Sequence, residues 1–296
     1  MVARPDEIRS LDANGLSVSL PLWPSEVRHD CIFRADRGTA KQIGRLGLLA
    51  PDQVNPTDFD LAFLAMQEPQ VGAKELVTLF NGISDARLPL ISLSNMPPLS
   101  FFERIPNFPI EKVAPHYHSP AAWKALHKSP QTLASPDAQA FRLDPKDPCA
   151  LHVSLATNLK VAPFHEPEAQ AKLSQLATDI ENIRLGDGGK LPVKLICSEH
   201  LAIPFAKMPM SITGNYRCVQ PGRITSIRDA VWGDIQESET IYQECLEVLR
   251  AFSVPEKVMV PFEQYAAAAK GLTNPLPRHV RLTQGQLKSK DPMPLC

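Results

Sequence analysis

The sequence predicts an α/β protein with a parallel sheet in residues 1–165 and an all-helical part in residues 166–296. Two short apolar runs with a helical stretch between them predict the sheet, because strands buried on both faces are continuously apolar. Helical periodicity after residue 165 predicts the second part. The opening residues predict that the sheet is incomplete, since no glycine-rich turn comes before them.

The opening segment, MVARPDEIRSLDANGLSV, is typical of the second strand of a Rossmann-like sheet and the residues after it. In such sheets the first strand leads into a G-x-G-x-x-G turn, which lets the backbone approach a pyrophosphate at a helix N-terminus. Residues 187–189 and the pair Gly44 and Gly47 do not have that spacing after a strand. We therefore expect the 296 residues to lack the first βα unit.

The predicted sheet is built from three segments in order. Residues 60–66, DLAFLAM, form an apolar run behind an aspartate and predict a buried strand. A helix is expected from Gly72 to Phe80, and residues 88–94, LPLISLS, predict a second buried strand. Residues 149–161 predict a later strand. The first two strands and the helix between them make a βαβ unit, in which the strands lie side by side.

The second part is predicted from apolar positions that recur at helical spacing. Glu168 to Ile183 predicts an amphipathic helix, and Val193 to Ala202 a further one. A long helix is expected from near Ser226 to Phe252. Pro261 to Lys270 predicts a short, alanine-rich helix that stops at Gly271.

Composition and charge argue against several kinds of binding partner. A net charge of -1 and 21% charged residues favour neither a nucleic acid nor a membrane as partner. The six cysteines are scattered without a C-x-x-C pair, which predicts reduced thiols and a cytoplasmic location rather than a zinc site. His116 and His118 lie in a proline-bounded loop without cysteine or carboxylate companions, so we expect no metal site.

DLAFLAMQEPQ followed by LPLISLSNMPP resembles the ketopantoate reductase (2-dehydropantoate 2-reductase) family. In that family one strand ends in D-L-x-x-x-x-x-K-x-x-Q and the next in Asn-Gly. The segment LPVKLICSEHLA is similar to the helix that carries the family's catalytic lysine. The resemblance implies NADPH-dependent reduction of a 2-oxo acid or a related small carbonyl compound, by a protein that could act as a homodimer.

The resemblance implies roles for individual residues. Arg4 corresponds to an arginine that faces the 2′-phosphate of NADP, a group that a guanidinium fork suits. Gln67 replaces the family's lysine, and Gln70 matches its glutamine. Asn95 corresponds to the asparagine near nicotinamide and substrate. Lys194 corresponds to the lysine that protonates the carbonyl oxygen as hydride arrives.

The family places substrate-binding asparagines one and two helical turns after the lysine. Ser198 and Ala202 stand at those positions here. The family's serine near the C-terminus would fall around Leu276-Pro277 and its glutamate around Ser289-Lys290, and neither residue stands at its expected place. Ketopantoate itself is therefore not the expected substrate.

Each of these residues also has a purely structural interpretation. Lys194 can be a solvent-exposed lysine, Asn95 a turn cap, and Arg4 a surface residue near a chain terminus. Three hypotheses follow for the protein: a reductase whose reading frame starts further upstream, a catalytically inactive relative that binds a partner, or a truncated gene product without a selected function. Because no glycine turn precedes a helix N-terminus to hold the pyrophosphate, we expect the 296-residue chain to bind NADPH weakly or not at all.

Overall fold

The computed structural model of the chain describes residues 1–21, 28–38, 45–66, 68–94, 96–106, 108–135, 140–142, 144, 147–153, 157–185, 188–191, 193–221 and 223–273. They form two compact units, one from Met1 to Glu199 and one that begins at His200. The division lies later than the expected boundary near residue 165. The reason is that the helix and the strand after residue 165 pack on the sheet of the first unit.

The first unit contains eleven strands and seven α-helices among the described residues. The strands are β1 Leu16–Pro21, β2 Arg28–Phe33, β3 Ala35–Arg37, β4 Leu46–Leu48, β5 Ala62–Leu64, β6 Leu90–Ser92, β7 Gln131–Ser135, β8 Ala140–Phe141, β9 Ala150–Val153, β10 Thr157–Val161 and β11 Val193–Cys197. The helices are α1 Pro5–Asn14, α2 Glu68–Val71, α3 Val77–Asp85, α4 Leu99–Phe102, α5 Ile110–Val113, α6 Pro120–Ala125 and α7 Pro167–Asn182. Short 3₁₀ helices lie at Pro51–Gln53, Pro56–Asp58, Lys74–Leu76 and Ala114–His116.

The main sheet has five strands in the order β11-β10-β7-β6-β5. β5, β6 and β7 are parallel to one another, β10 is antiparallel to β7, and β11 is parallel to β10. The predicted α/β fold with an incomplete Rossmann-like sheet is confirmed. The expected pairing of the segments 60–66 and 88–94 is confirmed by the register Phe63↔Ile91.

β5 lies at one end of this sheet and has no strand on its other side among the described residues. In a parallel ladder alternate residues bond to opposite sides. Ala62 donates its N–H to Pro89 O (2.8 Å), and Leu64 O accepts from the Leu93 N–H (3.1 Å), so Phe63 turns its backbone groups outward. The Phe63 residue is 41% exposed. The edge at which a first strand was expected to be absent is therefore open in the described part of the chain.

Helix α7 covers one face of the sheet, as the helical periodicity of residues 168–183 predicts. Its buried Ala169 and Leu173 pack with Ile91, Val161 and Leu195 of the strands. Helix α4 also packs on β7, and α3 packs on α6. A second sheet has the order β2-β1-β9-β8, and β3 pairs with β4.

Two predicted elements of this unit were wrong. Residues 149–161 form not one strand but two, β9 and β10, which belong to different sheets. Val193 to Ala202 was expected to be helical, but β11 occupies Val193–Cys197. Burial alternates along β11, with Leu195 buried and its neighbours Lys194 and Ile196 exposed, and this period of two is that of a strand.

The second unit is mainly helical, as expected. Its described elements are a 3₁₀ helix Ile203–Lys207, α8 Met208–Met210, a π-helix Ser211–Tyr216, β12 Val219–Gln220, β13 Arg223–Ile224, α9 Ile227–Trp232, α10 Ile235–Ala251, a 3₁₀ helix Glu256–Val258 and α11 Phe262–Ala269. The long helix predicted from Ser226 is broken at Gly233, where Asp234 caps α10 by accepting the Glu237 N–H. The ribbon of β12 and β13 was not predicted.

Candidate active site

A continuous helical run opens the second unit and carries a lysine at its centre. Ile203–Lys207, α8 and the π-helix follow one another without a break. Lys207, Ser211 and Asn215 lie along this run at intervals of four residues, and all three are half-buried. Burial lowers the pKa of Lys207 from 10.5 to about 8.

This pKa matters for chemistry because proton transfer works best when the donor's pKa lies near the working pH. An ordinary exposed lysine holds its proton too tightly at neutral pH, whereas a desolvated one releases it more readily. Ser211 and Asn215 add a hydroxyl and an amide, both of which can bond to the oxygens of a carbonyl compound. The run thus combines a proton donor with neutral groups that can orient a substrate.

The backbone around this run is firmly held within the second unit. Tyr265 donates its hydroxyl to Met210 O at 3.0 Å, and Cys218 donates its N–H to Gly214 O at 3.1 Å. Arg217, which follows the π-helix, bonds to Ser238 Oγ at 2.6 Å and forms an ion pair with Glu237. Thr213 is fully buried, and its Oγ1 has no hydrogen-bond partner among the described residues.

The carboxyl ends of β5 and β6 in the first unit are lined with buried polar groups. Ser92 is the last residue of β6, and Ser94 lies two residues beyond it. The Ser92 hydroxyl accepts the Ser94 N–H, and the Ser94 hydroxyl accepts the Met96 N–H. Glu68, at the start of α2, is 4% exposed and accepts the N–H groups of His118 and Ser119, both at 3.0 Å. This carboxylate ties the segment after β5 to the start of α6.

Lys194 does not lie where the resemblance implied. It stands on β11 with an exposed side chain, not on a helix, so Ser198 is not one turn further along. Ser198 follows the strand and donates its N–H to Val161 O at 2.9 Å. Ala202 precedes the helical run rather than standing two turns after the lysine. The helical spacing assigned to these residues is therefore wrong.

The other predicted residues belong to the first unit. Arg4 immediately precedes α1, and its guanidinium forms ion pairs with Asp6 at 3.6 Å and Glu7 at 3.3 Å. Gln70 is half-buried in α2. Gln67 and Asn95 lie outside the described residues, as do residues 276–277 and 289–290.

Two features are absent from the residues that the structure describes. Within them, no three His, Cys, Asp or Glu side chains are grouped so that they could hold a metal ion. None of the helices found there has the length and apolar character needed to cross a bilayer. Five of the cysteines are free thiols.

Comparison with solved structures identifies the fold. The structure matches 2-dehydropantoate 2-reductase from Methylococcus capsulatus with a TM-score of 0.59 and 15% identity, over 97% of this chain and 77% of that one. A ketopantoate reductase from Ralstonia eutropha JMP134 matches with a TM-score of 0.57 and 12% identity, over 97% and 78%.

The chain has the fold of the ketopantoate reductases. It is also similar to a D-mandelate dehydrogenase whose structure holds NADH and anilino(oxo)acetate, with a TM-score of 0.51, 11% identity and coverage of 93% and 72%. No family model and no curated protein matches the sequence. At these identities the likeness concerns the fold, and the resemblance found in the sequence is confirmed at that level.

The resemblance described above implies that, in ketopantoate reductases, a lysine on a helix is followed by substrate-binding residues one and two helical turns later. Lys207, Ser211 and Asn215 have this spacing, with asparagine at the second position, whereas Lys194 lies on a strand. Two features hid this pattern. Pro204 and Pro209 interrupt the helical periodicity, although each stands in the first turn of a short helix, where proline is tolerated. The spacing K-x-x-x-S-x-x-x-N is the sequence signal that could have drawn attention to these three residues.

Proposed function

We propose that the protein is an NADPH-dependent reductase of a 2-oxo acid or a related small carbonyl compound, with Lys207 as the general acid. The observation that carries the proposal is a desolvated lysine, with a pKa of about 8, in register with Ser211 and Asn215 on one helical run. The fold supports the same reaction class, because the similar structures are named as reductases and dehydrogenases of such compounds.

Lys207 has a defined part in this chemistry. When bound, a reduced nicotinamide would supply the hydride that the carbonyl carbon receives. The ammonium of Lys207 would give its proton to the carbonyl oxygen, so that the product is a hydroxy acid and the lysine is left as a neutral amine. Ser211 and Asn215 would bind the oxygens of the substrate and orient it. Lysine regains its proton from water before the next cycle.

The residues present fit a nicotinamide cofactor only in part. Ser100, on α4 beyond the carboxyl end of β6, has a buried Oγ without a partner among the described residues, which a polar group of a ligand could satisfy. The phosphate end fits poorly, because the 296 residues contain no G-x-G-x-x-G turn and the Arg4 guanidinium is already paired with Asp6 and Glu7. We therefore keep the expectation that NADPH binds weakly.

Turnover tests the role of Lys207. With millimolar NADPH and a panel of 2-oxo acids, Lys207→Ala should lower kcat by about 10²–10⁴-fold, the usual range for a lost general acid. Lys194→Ala is the matched control, since it removes an exposed lysine from β11 and should leave kcat unchanged. Full turnover by the Lys207 variant would overturn the assignment.

Fluorescence titration tests the cofactor separately. We expect no micromolar affinity for NADPH, and saturation in the micromolar range would contradict that expectation. If no carbonyl compound is reduced even at millimolar NADPH, the protein is better described as a catalytically inactive relative that acts through binding. The cytoplasmic location and a homodimeric assembly remain part of the proposal, and the latter is measured by sedimentation.

A further inference from the structure

The helical run that carries Lys207 changes its winding at the turn where a buried tyrosine reaches its backbone. The π-helix Ser211–Tyr216 begins directly after Met210, whose carbonyl accepts the Tyr265 hydroxyl at 3.0 Å. A side chain that bonds to a helix carbonyl from outside is one of the recognised causes of local changes in helix geometry. The Tyr265 residue is 5% exposed, so this bond is shielded from water.

Gly214 makes the approach of the tyrosine possible. A Cβ at position 214 would overlap the Tyr265 hydroxyl oxygen and would lie 3.1 Å from a methyl carbon of Ile227. The φ of Gly214 is not in the left-handed region, so its need is for space and not for an unusual backbone conformation. The Tyr265 hydroxyl can therefore occupy its position only because residue 214 has no side chain.

The winding decides where Asn215 points relative to Lys207. In an α-helix each residue adds 100°, so eight residues would leave Asn215 rotated by about 80° from Lys207 around the axis. The i→i+5 bonding of a π-helix takes more residues for each turn, so each residue adds less rotation. The π-helix therefore returns Asn215 toward the line through Lys207 and Ser211.

We propose that Tyr265 is a positioning residue, whose hydroxyl holds the π-helix and so keeps Lys207, Ser211 and Asn215 in line. This inference rests on the proposed function of Lys207. Met210 is three residues beyond Lys207 and belongs to the same helical turn, so the bond also fixes the backbone from which the lysine side chain extends.

Tyr242 provides a matched control for a merely structural role. Its ring stacks on that of Tyr265 at 5.4 Å, and its hydroxyl donates to a backbone carbonyl, Val260 O, at 2.9 Å. Both tyrosines are buried, and burial raises the pKa of each hydroxyl. Loss of either hydroxyl should lower the free energy of unfolding by a similar amount. Only the Tyr265 hydroxyl, however, donates a hydrogen bond to the helical run, at Met210 O.

The test compares Tyr265→Phe with Tyr242→Phe in the full chain by NMR. We expect Tyr265→Phe to raise the Lys207 pKa by about one unit toward 10.5, because a loosened turn admits water to the ammonium. Amide exchange at Asn215 and Tyr216 should become at least about tenfold faster. Tyr242→Phe should change neither. Equal behaviour of the two variants would overturn the proposal.

Two further measurements keep the proposal testable if Tyr265→Phe does not fold. Gly214→Ala retains the hydroxyl but displaces it from Met210 O, so it should reproduce both effects. In the unaltered protein, a Tyr265 hydroxyl proton in slow exchange with water and coupled to the Met210 carbonyl is expected, and rapid exchange would overturn the contact. None of these readouts uses turnover, so failure of the positioning role is distinguishable from failure of the proposed reductase activity.

Discussion

Replacing Lys207 with methionine should make the protein more stable at neutral pH. Burial disfavours the ammonium and lowers its pKa from 10.5 to about 8. At 1.36 kcal/mol for each pH unit, this lowering corresponds to at most about 3 kcal/mol against folding at pH 7. Solvent screening of a half-buried group reduces the expected gain to about 1–2 kcal/mol. Methionine keeps the length of the side chain without its charge.

The stability gained by Lys207→Met should decrease as the pH rises. Between pH 8 and 10.5 the unfolded chain binds more protons than the folded one, since its lysine keeps the higher pKa. The free energy of unfolding of the unaltered protein therefore rises with pH across this window. At about pH 9.5 the advantage of Lys207→Met should be less than half of its value at pH 7.

Urea unfolding followed by far-UV circular dichroism at both pH values measures this difference. Lys194→Met is the control, because its side chain is exposed on β11 and the substitution should change stability by less than about 0.5 kcal/mol. A Lys207 variant that is no more stable than the original at pH 7 would show that the ammonium is well solvated. Lys207 would then not be a tuned proton donor.

Two further predictions concern the first unit. Leu173→Ala should cost about 2–5 kcal/mol in urea unfolding, because Leu173 is fully buried between α7 and the sheet, whereas the same change at half-buried Leu176 should cost less. Equal costs would mean that α7 does not pack as described. Phe63→Lys should slow aggregation in light scattering, because a charge blocks pairing at the open β5 edge. Val248→Lys, on exposed α10, is its control, and an equal effect of the two would show that the edge is not the aggregation site.

The sheet could be predicted from sequence because its pattern is local. Residues 60–66 and 88–94 are apolar runs of strand length, and each became a parallel strand of one sheet. The segment from Val193 was harder, since its alternation extends over only five residues and a helical reading accommodates the same apolar positions. Its pairing with β10, in register Leu159↔Leu195, involves residues distant in sequence. Such long-range pairing decides between strand and helix, and no local pattern contains it.

The residues proposed from the structure differ from those predicted from the sequence for a related reason. The predicted spacing, a lysine followed by substrate-binding residues one and two helical turns later, was placed on Val193–Cys197 and the residues after it, and this segment is a strand. The desolvation of Lys207 depends on packing across the second unit, which a sequence does not display. The π-helix depends on Tyr265, a residue fifty-five positions from Met210. The winding of the run is thus set by a distant contact.

Three features of the helical run are unfavourable for folding, and they lie close together. Lys207 is a desolvated cation, Thr213 has a fully buried hydroxyl without a partner among the described residues, and Ser211–Tyr216 adopts the rare π winding. Burying an ammonium or an unbonded hydroxyl costs free energy, and π winding is rare in helices. Proteins that violate several local rules in one place usually do so at functional sites, where strained or desolvated groups serve binding or chemistry. Their concentration therefore favours a functional site on the helical run, as the reductase proposal requires, over a purely structural role for the second unit.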